Sequence, residues 1–161
     1  MNMEYFDITP QGMVWLKAEI ERCKAKRPAL IKRVAAAAAL GDRSENAEYT
    51  ESKRELRHLE SRMRYLDKET RYGEQVTVAD DGVATLGKTV TVRFSDEADD
   101  VDTYNLVGPA EAEISEANLT SVSPLGAAIM GHKVGDTCAV AAPAGTYSVT
   151  IEQVQLMGDF E

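Results

Sequence analysis

Two carboxylates of this 161-residue chain stand three residues apart in the string Gly41-Asp42-Arg43-Ser44-Glu45-Asn46-Ala47-Glu48-Tyr49. At the entry to a helix that spacing aims Asp42 and Glu45 in a similar direction. The pair then has two readings. It is a candidate for chemistry at an exposed turn, or it is a capping box in which Asp42 caps the helix and Glu45 follows at the third position, satisfying orphan N–H groups. Spacing alone favours the cap. The remaining chemistry-bearing residues form no competing motif. Neither GxGxxG nor GxxxxGK[ST] occurs, and no Ser/His/Asp order stands out. Cys23 and Cys138 lie far apart with no CxxC pair, which argues against a disulfide framework or a zinc site. His58 and His132 are solitary. The acidic run Asp96-Glu97-Ala98-Asp99-Asp100-Val101-Asp102 lacks the glycine and closing glutamate of a calcium loop and reads as a solvated hairpin loop.

The elements that would carry Asp42 and Glu45 are two helices. Thr9-Pro10 is a helix start, with Thr9 as the cap and Pro10 at the first helical position. From there Leu16, Ile20, Cys23, Arg27, Leu30, Val34 and Ala37 alternate steps of four and three, the spacing of a coiled-coil seam. Arg27 breaks the apolar pattern, and Pro28 beside it predicts a kink. Gly41 suits the left-handed residue that ends a helix. A second seam follows in Tyr49, Ser52, Leu56, Leu59, Met63, Leu66 and Thr70. Two helices of about 28 residues joined by a short turn predict an antiparallel hairpin projecting roughly 40 Å, with the Asp42–Glu45 turn at its tip. The second helix also exposes Lys53, Arg54 and Arg57 in a basic face interleaved with acids.

After Gly73 the period changes. Residues 89–94, 103–107 and 147–151 alternate as half-buried strands, 118–122 and 138–142 are shorter candidates, and Ser123-Pro124 opens one short helix over 124–130. The fold class expected is therefore α+β: a helical hairpin over residues 1–75, then an antiparallel β domain over 76–161. Charge divides the same way. Residues 1–75 hold 15 Lys+Arg and 13 Asp+Glu, whereas 76–161 hold 3 and 14. With a net charge of −9 and 6% aromatic residues, a face that stacks several nucleobases is hard to build. No stretch has the length of a membrane span, and a cytoplasmic protein is expected.

The whole tip string changes the weighting. Residues 37–47, Ala-Ala-Ala-Leu-Gly-Asp-Arg-Ser-Glu-Asn-Ala, closely resemble the turn of the bacterial Gre transcript-cleavage factors, in their GreB version, as does Arg62-Met63-Arg64-Tyr65-Leu66. Arg27-Pro28 matches the family's first helix. Val107-Gly108-Pro109, Ser123-Pro124-Leu125-Gly126, Val134-Gly135-Asp136 and Pro143-Ala144-Gly145 look like its C-terminal domain. The resemblance departs at Glu55, where B-type members carry a basic residue, and at Val122, where the family often has Asp or Asn.

That resemblance implies an N-terminal coiled coil followed by an FKBP-like β domain that docks on bacterial RNA polymerase, here through Ser123, Pro124 and Leu125. The coiled coil would reach down the secondary channel. Asp42 and Glu45 would then help hold the polymerase's second Mg²⁺, which the isolated protein does not bind, and a backtracked transcript would be cut near its 3′ end. Gly41, Ser44, Asn46 and Tyr49 would support the tip, and Lys53, Arg54 and Arg57 would steer the nascent RNA 3′ end. The factor would be no enzyme itself, would touch no membrane and would be monomeric when free. The rival readings are a Gre-like inhibitor that blocks the channel without cleavage, a prolyl isomerase or chaperone, and a coiled-coil adaptor without chemistry.

Overall fold

The computed structural model describes residues 7–42, 45–97 and 99–160. The chain divides into two compact units, one from Trp15 to Tyr72 and one combining Met1–Val14 with Gly73–Glu161.

Helix α1 (Pro10–Ala38) starts as its sequence predicts: the Gly12 N–H donates to Thr9 Oγ1 at 2.9 Å, and Pro10 occupies the first helical position. It continues uninterrupted through Pro28. Helix α2 (Ala47–Tyr72) runs antiparallel to it. Cross-helix ion pairs set the direction, because Glu19 meets Arg62 at 3.5 Å, Arg27 meets Glu60 at 3.7 Å and Arg33 meets Glu55 at 2.8 Å. Rising numbers on α1 thus meet falling numbers on α2. Leu16, Cys23 and Ala37 on α1 and Ser52 and Leu66 on α2 are buried, and the other apolar seam positions are half-buried. Arg27, which breaks the apolar seam, is exposed.

The β unit holds a five-stranded sheet of β3 (Lys88–Phe94), β4 (Val101–Val107), β5 (Asn118–Thr120), β6 (Thr137–Ala142) and β7 (Gly145–Leu156) in the order β5-β4-β3-β7-β6. Strand β1 (Asp7–Ile8) and strand β2 (Glu74–Gln75) form a separate parallel pair. Alternation along β3 buries Val90 and Val92, which pack with Leu106, Val140, Val149 and Ile151. Helix α3 (Pro124–Ile129) closes this core with Leu125 and Ile129. The sheet departs from the expected antiparallel arrangement at one edge, where β5 pairs parallel to β4. A 3₁₀ turn at Pro109–Glu111 begins the return of the chain, and a return crossing of this kind is what parallel neighbours require.

Residues 7–14, at the start of the expected 1–75 segment, cluster with the β unit. One tie is Glu111, fully buried, whose carboxylate bonds Thr9 at the start of α1. It accepts from the Thr9 N–H at 3.1 and 3.2 Å, from the Gly108 N–H at 2.9 Å and from the Thr9 hydroxyl. Burial pushes its carboxyl above the usual range, against the lowering effect of these donors. The packing leaves no room for side chains: a Cβ on Gly12 would lie 1.7 Å from Glu111 Oε1, and one on Gly108 would lie 1.9 Å from the Asp7 carbonyl oxygen.

Candidate functional site at the hairpin tip

Helix α1 ends at Ala38 and α2 begins at Ala47, so the tip is the turn between them. Gly41 has φ +124°, a backbone conformation that a side chain rarely adopts, so the predicted role of a glycine there holds. The cap of α2 is Asn46. Its Oδ1 accepts from the Tyr49 N–H at 3.0 Å, the bond an N-cap makes to the third helical residue. Its amide Nδ2 donates to the Ala37 carbonyl at 2.6 Å, satisfying one of the orphan acceptors at the end of α1. One side chain therefore joins both helix ends.

This arrangement corrects the capping-box reading of Asp42 and Glu45. Asn46 occupies the cap and Tyr49 the third helical position, because the helix begins five residues after Asp42. Asp42 and Glu45 instead lie in the turn itself, and both residues are exposed. Two carboxylates at one exposed turn can approach a cation that belongs to another molecule. Ser44, expected to support the tip, lies outside the described residues.

Below the turn, Arg33 ties the helices together. Its Nε and Nη2 donate to Glu48 Oε1 at 3.2 and 3.0 Å, and its Nη1 donates to Glu55 Oε2 at 2.8 Å. Glu55 therefore answers a cation on α1. The basic residues expected to steer RNA lie along α2, where Tyr49, Lys53, Arg54, Arg57, His58 and Ser61 line one open concavity. Lys53 Nζ lies 5.3 Å from the centre of the Tyr49 ring, and Arg54 pairs with Glu51 at 3.2 Å. Arg57 is exposed. Among the described residues no group of three His, Cys, Asp or Glu side chains converges on a metal-sized space.

The two halves of the chain each match a known family. Residues 6–72 match the family described as "Transcription elongation factor, N-terminal", and residues 71–156 match "Transcription elongation factor, GreA/GreB, C-term". The chain belongs to the GreA/GreB family of transcription elongation factors. Among curated relatives, Transcription elongation factor GreA 1 of Lactiplantibacillus plantarum is 44% identical over 155 residues, covering 96% of this chain and 99% of the relative. GreA of Streptococcus thermophilus is 42% identical over 144 residues, covering 87% and 89%. The solved structure of Gfh1, the GreA factor homolog 1 of Thermus thermophilus, is 21% identical, covers 92% of this chain and 97% of its own, and aligns with a TM-score of 0.43. Both curated relatives carry the GreA name and give no support to the GreB-like version of the tip.

Of the residues expected to dock this Gre-family chain, Ser123 caps α3: its Oγ accepts from the Gly126 N–H at 3.1 Å and donates to the Thr120 carbonyl at 2.7 Å. Pro124 is exposed. Leu125 is 8% exposed and packs in the β-unit core, so it supports the loop from beneath and offers little surface to a partner. Sequence reasoning missed Glu111, since nothing in one glutamate of an acidic half marks it for burial. It also missed Arg33, which lies off the apolar seam.

Proposed function

We propose that this protein stimulates the cleavage of backtracked transcripts by bacterial RNA polymerase. The observation that carries the reading is that Asn46 caps α2 and that Asp42 and Glu45 are both exposed residues of the turn before it. Ser123 and Pro124 on the β unit meet the polymerase, and the hairpin enters the secondary channel tip first. Mg²⁺ held jointly by the tip and the polymerase would supply the second cation of a two-metal phosphodiester cleavage. Asp42 and Glu45 are the oxygen donors a hard cation takes. Two carboxylates fall short of its full shell, so waters and the polymerase complete it. Gly41, Asn46 and Tyr49 hold the turn so that both carboxylates arrive together. Lys53, Arg54 and Arg57 draw the extruded RNA 3′ segment along α2 by attraction to its phosphates. The chain is a factor that acts on the polymerase's own reaction, and it works in the cytoplasm as a monomer.

The experiment is a backtracked elongation complex with end-labelled RNA and Mg²⁺, given the wild-type protein or the Asp42→Asn/Glu45→Gln variant. A thousandfold acceleration corresponds to about 4 kcal/mol of transition-state stabilisation, and the variant is expected to lose most of it while still competing for the polymerase. Wild-type protein that binds and slows extension without releasing 3′ fragments overturns the reading and makes the protein a channel inhibitor.

A further inference from the structure

The seam between the helices changes character along its length. Leucines bury the end away from the tip, with Leu16 and Leu66 almost wholly covered. Near the tip the fully buried positions are Ala37 and Ser52. Alanine removes little apolar surface from water, and the Ser52 hydroxyl is occupied by the Tyr49 carbonyl, to which it donates at 3.2 Å. Hydrophobic burial therefore binds the helices least strongly where the carboxylates must be held most accurately. Polar ties take over there. One is the Asn46 bond to Ala37; the other is Arg33, whose guanidinium uses three nitrogens to grip carboxylates two turns apart on α2.

An exposed single ion pair contributes little, because water screens it and two long side chains lose freedom in forming it. Arg33 differs in geometry. The planar fork is shared between Glu48 in the first turn of α2 and Glu55 further along, so one side chain restrains both the separation and the register of the helices. Glu48 follows Glu45 by three residues, so this restraint begins three residues from the site. We propose that Arg33, through Glu48 and Glu55, is a positioning residue that fixes the tip-end register of the hairpin and thereby the placement of Asp42 and Glu45. The inference rests on the cleavage reading above. It also assigns a role to Glu55, which is engaged across the hairpin with Arg33.

The test compares wild type, Arg33→Gln, and the charge-swapped Arg33→Glu/Glu48→Arg/Glu55→Arg protein in two measurements. The first is amide hydrogen exchange along both helices. Arg33→Gln is expected to raise exchange about tenfold at residues 34–38 and 47–50, to leave residues 16–23 and 59–66 unchanged, and to be corrected by the swap. The second is transcript cleavage across factor concentrations in the backtracked complex. The maximal rate is expected to fall three- to tenfold in Arg33→Gln with the half-saturating concentration kept within about twofold, and to recover in the swap. The deficit should also shrink at high salt, because screening weakens the wild-type clamp. Unchanged exchange overturns the clamp whatever the cleavage result. Raised exchange with full cleavage overturns its positioning role. A wild-type protein inactive in cleavage refutes the proposed function, and the positioning role falls with it, whereas the clamp itself stands or falls on the exchange pattern alone.

Discussion

Replacing Glu111 by glutamine removes a charge from a fully buried site while keeping its shape, and the hydrogen bonds decide the outcome. The carboxylate receives the Thr9 N–H, the Thr9 hydroxyl and the Gly108 N–H; the two N–H groups can only donate, and the hydroxyl, which already accepts from the Gly12 N–H, has only this carboxylate to donate to. Glutamine offers one acceptor oxygen and places an NH₂ group where the other oxygen was, setting donor against donor. One charge-assisted bond, worth about 1.5–3 kcal/mol, is lost, and a buried N–H goes unpaired at a further cost of about 1–3 kcal/mol. Relief of the buried charge offsets part of this. The net expectation at pH 7 is a loss of about 2 kcal/mol, or roughly 10 °C in the midpoint of the β unit's unfolding. The pH dependence gives a second, independent check. Burial raises the Glu111 carboxyl above its ordinary value of 4.5, so the folded state binds this proton more tightly than the unfolded state does. Its contribution is complete below the ordinary value and is lost as pH rises through the raised one. The wild type should therefore outdo Glu111→Gln by a wider margin in mild acid than at pH 8. Scanning calorimetry of the full chain between pH 4.5 and 8 measures both. A variant as stable as wild type at pH 7, or a margin that narrows in acid, would refute the reasoning.

Asn46 separates its two duties by substitution: Asn46→Asp keeps the acceptor for the Tyr49 N–H but loses the donor to Ala37, whereas Asn46→Ala loses both. Urea unfolding of the hairpin should show about 1 kcal/mol lost in the first and about 2 kcal/mol in the second, with maximal cleavage falling in the same order. Gly108→Ala would drive a methyl group against the Asp7 carbonyl, which is backbone and cannot swing aside. A loss of about 1–3 kcal/mol follows, and NMR should show the amides of β1 losing their protection first.

Periodicity and turn chemistry made much of this protein legible before any coordinates. The Thr9-Pro10 start, both seams, Gly41 and the helix opening at Ser123-Pro124 are local signals, each produced by backbone sterics or by apolar spacing within a few residues, and the structure repeats them. The tip string is equally local, but its spacing alone favours a helix cap, and it is the resemblance of the whole string to the Gre turn that singles out Asp42 and Glu45. What spacing could not settle was their role at the helix start, because a cap depends on where the helix begins; Asn46 takes the cap by bonding both its own helix and Ala37 of the preceding one. The parallel edge of β5, the return of residues 7–14 to the β unit, the buried carboxylate of Glu111 and the Arg33 clamp were decided by tertiary structure. Thr9 and Glu111 lie 102 residues apart, and Arg33 and Glu55 lie 22 apart. Contacts at such separations leave no periodic trace, and a buried acid or bridging arginine is written in the same letters as a solvated one until the chain closes around it.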